Sequence, residues 1–235
     1  MENRYNRILL KLSGEALAGS KGTGFDEATI ASICAGVREA HEMGVQIGIV
    51  VGGGNFWRGR SSGKMDRMDA DKIGMLATVM NALAVKDALR QQGVPAVVMT
   101  SAVMPQVAET FTSDKAIAAL EAGTVVVFGG GTGNPIFSTD TASALRALEI
   151  GADAMLKATM VDGVYDKDPH KYPDAVRYET LTFTRVLDER LAVMDSTAAS
   201  LCRDNGLPIL VFDMGDGSNI ARAVRGEKIG TLVKE

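Results

Sequence analysis

Two lysines interrupt apolar runs: Lys11 in RILLKL (7–12), directly before Ser13 and Gly14, and Lys157 in ADAMLKAT (152–159). A buried ammonium needs a counter-charge or a bound anion. The plain alternative is an edge position from which the charge snorkels to water; the place of Lys11 at the end of its run favours the anion. Two glycine clusters follow further β-branched runs, in VVGGGNFWRG (50–59) and VVVFGGGTGNP (125–135). Glycines at such junctions bare backbone N–H groups with no Cβ in the way, which suits a phosphate, although a tight packing corner makes the same demand. Arg58, just after the first cluster, adds a planar fork matched to phosphate oxygens. Neither the P-loop pattern nor the dinucleotide fingerprint occurs.

The carboxylates are less telling. Asp140 in FSTDTAS (137–143) and Asp71 in DADKIG (69–74) both fall where a helix is expected to begin, and an acid in a first turn is common for dipole reasons alone. On that evidence both are structural. Asp162, Asp166 and Asp168 in VDGVYDKDP (161–169) suit turns closed by their own side chains. His41, expected on an exposed helix face, and His170, in a loop, are too far apart to suggest a metal site or a triad. Cys34 and Cys202 form no CxxC pair and are expected to be buried, apolar and reduced.

These residues need a scaffold, and the periodicity supplies one. Strands are expected at 7–12, 45–51, 96–100, 124–128, 152–159, 208–213 and 230–235. Between them lie helical patterns: one capped by Asp26 and ended by Gly44, one from about 69 to 92, and others at 112–123, 139–151, 184–205 and 218–227. Strands apolar on both faces, alternating with helices, imply an α/β fold: a mostly parallel central sheet covered by helices. Ligands in such sheets bind at the carboxyl ends of the strands, where both glycine clusters fall. The stretch VDGVYDKDPHKYPDAVRYETLTF (161–183) loses periodicity and is expected to form a functional loop with short hairpin elements. The chain is expected to be one domain over 1–235, divided near residue 157 into lobes 1–156 and 157–235.

Composition narrows the function further. A length of 235 residues with 46% hydrophobic content supports a sizeable core. The formal net charge of -4 argues against a broad basic face for nucleic acid, so any anion site is local. The N-terminal MENRYNRILLKLSGEALAGS imitates a signal peptide, but Lys11 and Glu15 break its apolar run. No segment has the length of a membrane span, and a cytoplasmic protein is expected.

Taken together, KLSGEAL (11–17), GGGNFWRG (52–59), DKIGMLATVMNALA (71–84), GTGNPIFSTDTA (131–142), KATMVDGVYDKDP (157–169) and GTLV (230–233) resemble the bacterial uridylate kinases (UMP kinases) of the amino acid kinase superfamily. The resemblance runs in order through nearly the whole chain. It implies a three-layer αβα sandwich, transfer of the γ-phosphoryl of Mg-ATP to UMP to give UDP in pyrimidine nucleotide biosynthesis, and a homohexamer subject to allosteric control by GTP and UTP. It places ATP at Lys11, Leu12, Ser13, Gly14, Gly54, Arg58, Lys157, Thr159, Tyr165 and Asp168. UMP falls to Gly53, Asp71, Thr132, Gly133, Asn134, Pro135, Ile136, Phe137, Ser138 and Thr139. Lys11, Arg58 and Asp140 become catalytic, which replaces the structural reading of Asp140. Mg2+ rides on the ATP phosphates, with no protein ligand of its own. The segment GSKGTGF (19–25) falls at the family's GTP-activation region. The 1–156 lobe becomes the acceptor side and 157–235 the ATP side. Asp71 is expected to accept from the UMP ribose, so that Asp71→Ala weakens UMP and CMP alike. The runner-up enzyme is a kinase of the same superfamily acting on a carboxylate, carbamate or isopentenyl phosphate; a non-catalytic nucleotide-binding protein is the other alternative.

Overall fold

The computed structural model describes residues 3–57, 63–191 and 193–235. Its elements begin with β1 (Arg7–Leu12), α1 (Gly14–Ala18), α2 (Glu27–Glu42), β2 (Gln46–Val51), α3 (Arg67–Gln91), β3 (Ala96–Thr100) and β4 (Glu109–Thr110). Next come α4 (Ser113–Glu121), β5 (Val125–Gly129), α5 (Thr139–Glu149), β6 (Ala154–Thr159), β7 (Thr180–Leu181) and α6 (Phe183–Asp188). The chain closes with α7 (Ser196–Asp204), β8 (Ile209–Asp213), α8 (Asn219–Val224) and β9 (Gly230–Val233). One nine-stranded sheet runs in the order β4-β3-β5-β2-β1-β6-β8-β9-β7. Every pairing is parallel except β8 with β9. The expected α/β sandwich with a mostly parallel sheet is the observed fold.

Side chains alternate across the sheet, and the alternation decides where the lysines go. In β1, Ile8, Leu10 and Leu12 enter the core beneath α2, α3 and α8, while Leu9 enters the core beneath α4, α5, α6 and α7. In β6, Leu156 joins the first core and Met155 the second. With a period of two residues, Lys11 and Lys157 both project toward the α5 side. They are register partners on adjacent parallel strands. Residue 157, the expected lobe boundary, is thus inside a central strand.

Several local expectations change. The turn at Ser13 and Gly14 opens a short helix, α1, capped by the Ser13 side chain, followed by a 3-10 turn at Gly19–Lys21. The single helical stretch expected over 184–205 is two helices, α6 and α7, each with its own cap, Thr182 and Asp195. His41 is half-buried rather than exposed, its Nε2 2.8 Å from Gly123 O. The loop after β6 contains one bridge, Tyr165 with Arg177, in place of a regular hairpin. Asp168 accepts from His170 N–H two residues on, as a turn former should, whereas Asp166 accepts from Val176 N–H ten residues away and ties the two sides of the loop together. Both cysteines are buried, and burial pushes their thiols up to about 12. Among the described residues no helix is long and apolar enough to cross a membrane.

Candidate active site

The first glycine cluster follows β2 and meets both α1 and α3. A Cβ on Gly14 would collide with Gly52 O, and one on Gly53 would lie 2.8 Å from Gly74 O and 3.0 Å from Ala77 Cβ. Packing therefore demands Gly14 and Gly53, whereas a Cβ on Gly54 would meet only the Glu15 side chain, at 3.0 Å. Beneath them, Asn55 and Asn81 exchange amide hydrogen bonds at 2.7 and 3.0 Å, and Asn81 also donates to Gly52 O at 2.5 Å. With 2% and 0% exposure, this pair fixes the loop to α3 without help from water. Residues 19–25 close over the same corner: Thr23 Oγ1 and Gly24 N–H both donate to Asn55 O, at 2.9 and 3.2 Å.

The second cluster depends on backbone conformation. Gly130, Gly131 and Gly133 have φ of 82°, 61° and 90°, a region that strongly favours glycine. The chain thereby turns back from β5 toward α3, held by Gly130 N–H donating to Thr78 Oγ1 at 2.8 Å and by Ser101 Oγ donating to Gly130 O at 2.8 Å. Between the two turns opens a cavity of about 590 Å3, within the range usual for small-molecule sites. Its wall includes Gly53, Gly54, Asp71, Thr132, Asn134, Pro135, Ile136, Phe137, Ser138, Thr139 and Asp140. Of the residues expected around the acceptor, only Gly133 is off the wall, where its left-handed φ shapes the turn.

Asp140 is the electrostatic centre. Ser138 caps α5, and the first turn of that helix points Asp140 at the lysines: Oδ1 lies 3.1 Å from Lys11 Nζ and Oδ2 2.6 Å from Lys157 Nζ. The Lys11 contact is an ion pair without hydrogen-bond alignment, whereas Lys157 also donates to Val193 O. The side chains are 13%, 10% and 16% exposed for Lys11, Lys157 and Asp140, so Lys11 does not snorkel to water. Burial alone would raise the Asp140 carboxyl; the two ammoniums outweigh it and hold the group below its ordinary value. Burial lowers the Lys157 ammonium, opposed by Asp140 and reinforced by Lys11. A first-turn acid explained by the helix dipole would need no such partners, and the structural reading of Asp140 is set aside.

Asp71 is also misplaced by a first-turn account. Its helix begins at Arg67 behind the cap Asp66, which puts Asp71 in the second turn, where its Oδ2 accepts from Arg67 Nε and from Ile136 N–H, both at 2.8 Å. A residue not anticipated from the sequence is Asp195. It caps α7 through Ala198 N–H, accepts from Thr141 Oγ1 at 3.0 Å and from Ser138 Oγ, and reaches the cavity wall. The capping pattern DST (195–197) was visible, but nothing local says that the cap faces α5.

The other described positions expected around ATP, Leu12, Ser13, Gly14, Thr159, Tyr165 and Asp168, are not on this wall. Leu12 is core, with its carbonyl taken by Gly52 N–H at 2.9 Å. Ser13 caps α1 by accepting from Glu15 N–H at 3.3 Å. Thr159 Oγ1 donates to Val161 O at 2.6 Å, Tyr165 OH to Asp162 Oδ1 at 2.6 Å, and Asp168 pairs with Lys171 at 3.3 Å. The Asp162 bond comes first among the causes that raise the Tyr165 hydroxyl. Arg58 lies outside the described residues. Among those described, no group of three or more His, Cys, Asp or Glu side chains is placed to hold a metal.

A parallel sheet with paired lysines and a carboxylate at its strand ends, beside a glycine-shaped cavity, is the architecture of a phosphoryl-transfer enzyme that works without a P-loop. The chain belongs to the amino acid kinase family, which residues 6–213 match. Among solved structures, it is similar to the UMP kinase of Bacillus anthracis, with 37% identity over 98% of this chain and 96% of that one and a TM-score of 0.95. The UMP kinase of Ureaplasma parvum matches at 34% identity over 99% and 100% of the two chains, TM-score 0.93. The uridylate kinase of Archaeoglobus fulgidus matches at 26% identity over 96% and 99%, TM-score 0.72.

Proposed function

We propose that this protein is an ATP:UMP phosphotransferase that makes UDP and ADP in the cytoplasm as a step of pyrimidine nucleotide synthesis. The observation that carries the reading is the Lys11-Asp140-Lys157 cluster, with Lys11 and Asp140 ion-paired at the edge of a cavity walled by Thr132 and residues 134–139. The similarity over essentially the full length to two UMP kinases supports the choice of acceptor. The acceptor is already a phosphate oxygen, so no base need remove a tightly held proton, and positioning with charge stabilisation carries the reaction. Lys11 touches the transferring phosphoryl, and Asp140 holds Lys11 and Lys157 at one spacing. Arg58 and the glycine-loop amides of Gly54 complete the phosphate side. Thr159, Tyr165 and Asp168 border the adenosine, in the 157–235 lobe, and the 1–156 lobe holds UMP. The chain fits a metal carried by ATP better than a resident one, because Asp140 is committed to two lysines. When bound, Mg2+ would neutralise phosphate charge from its place on the nucleotide.

The test is ADP release with UMP, CMP and N-acetylglutamate as acceptors. Uracil offers an acceptor at O4 and a donor at N3, and cytosine reverses both, so a site that pairs with one edge leaves its own groups unpaired with the other. In this reading Asn134 or a nearby backbone group pairs with that edge. UMP should exceed CMP in kcat/KM by at least about tenfold, the cost of one or two mispaired groups. Equal use of the two would overturn the uridylate assignment, and turnover of N-acetylglutamate would place the enzyme elsewhere in its family.

The same reading includes a homo-oligomer, a hexamer with GTP and UTP as effectors. Its support lies in α3, which buries Ala77, Val79, Ala82, Val85 and Leu89 against the sheet yet leaves Ile73, Leu76 and Met80 at 37%, 55% and 45% exposure on the outer face. A second apolar stripe is more than one core requires. Sedimentation at micromolar protein should give an oligomer, and Leu76→Glu should shift it to smaller species. A wild-type monomer under those conditions would sink the assembly reading.

A further inference from the structure

Asp71 meets the acceptor segment at a point of backbone strain. Among the described non-glycine residues only Ile136 and Arg190 have positive φ, 79° and 52°. A β-branched residue in that region is a genuine outlier, and it persists only where its surroundings hold it. The Ile136 side chain is 61% exposed and supplies little of that hold. Its N–H does, donating at 2.8 Å to Asp71 Oδ2 across 65 positions of sequence. The same oxygen accepts from Arg67 Nε at 2.8 Å, which fixes the carboxylate on α3. Asp71 is thus anchored on a long, well-packed helix at one end and grips the strained turn at the other.

We propose that Asp71 is a specificity-determining positioning residue: by holding the Ile136 N–H it fixes the left-handed turn there, and with it the register in which residues 132–139 present their polar groups to the acceptor's base. The inference rests on the reading that this segment binds the acceptor. It departs from a ribose contact alone, which is common to UMP and CMP and cannot tell them apart. Release of the Ile136 N–H frees the turn to relax toward negative φ, and a shift of even an ångström misaligns hydrogen bonds whose useful range is only a few tenths of an ångström.

Four forms of the full-length protein test this: wild type, Asp71→Ala, Asp71→Asn and Ile136→Pro. Proline removes the N–H and imposes a negative φ while leaving the Asp71 carboxylate untouched. The readouts are kcat/KM for UMP and for CMP, together with nucleotide dissociation constants from the fluorescence of Trp57, the single tryptophan, which lines the cavity. The UMP-to-CMP ratio is expected to fall about tenfold in Asp71→Ala and in Ile136→Pro, the size of one mispaired hydrogen bond. Asp71→Asn keeps an oxygen for the Ile136 N–H and should keep the ratio. Asp71→Ala that weakens both nucleotides equally, or Ile136→Pro with an unchanged ratio, overturns the proposal. Failure of the acceptor reading itself is seen separately, in a wild type that binds and uses UMP and CMP alike.

Discussion

Lys11→Ala is expected to lower kcat by about a hundredfold to a thousandfold, the usual consequence of removing one preorganised group that faces developing charge. The lysine sits at the carboxyl end of β1 with 13% of its side chain exposed, and among the described residues its one ion-pair partner is Asp140. A low-dielectric position makes its charge count for more on a phosphoryl group than it would in water. The fold should survive, because Lys157 continues to pair Asp140 at 2.6 Å. KM for UMP should move little if, as proposed, the lysine acts on the transferring phosphoryl. Turnover measured at saturating UMP and ATP, beside a thermal unfolding curve, checks both halves. A folded variant with near-normal kcat would remove Lys11 from the mechanism.

Why Lys11 could be singled out from sequence, and Asp140 could not, follows from the range of the interactions involved. Lys11 and Lys157 announce themselves locally, as charges within apolar runs. The alternation of strands and helices was legible for the same reason: most strands are short apolar runs and most helices carry a side-chain cap, whereas the two-residue strands β4 and β7 gave no such signal. Asp140 is ambiguous because its local context, the second residue of a helix capped by Ser138, already explains an acid. Its ion pairs to both lysines depend on β1 and β6 being neighbours, a pairing of segments far apart in the chain. Asp195 and the Asp71 contact to Ile136 were illegible on the same grounds, since each joins residues more than 50 positions apart. The glycines of 52–54 were legible as a cluster but not as to cause, because a packing corner and a phosphate cradle ask for the same absence of Cβ.

Asp140→Ala should be the most damaging single change to the fold at this site. It leaves two ammoniums, at 13% and 10% exposure, facing each other with no ion-pair partner among the described residues and only the more distant Asp195 acting on Lys157. Removal of one member of a buried ionic group typically costs about 3 to 5 kcal/mol. The pH dependence separates this cause from lost packing. In the wild type the Asp140 carboxyl lies below its ordinary 3.8, so its stabilisation is fully present above that value and is lost as pH falls through the folded value. The wild type's advantage over the variant should therefore shrink in acid. Lys157 behaves in the opposite sense: burial already holds its folded pKa below the ordinary 10.5, and without Asp140 it falls further. Between the folded value and 10.5 the unfolded chain binds more protons, so the stability of the variant should rise with pH there, closing part of the gap from the alkaline side. Urea unfolding from acid to alkaline pH measures both limbs. A gap that stays constant at every pH would mean that the loss is one of packing, and that Asp140 does not carry the charge balance of the site.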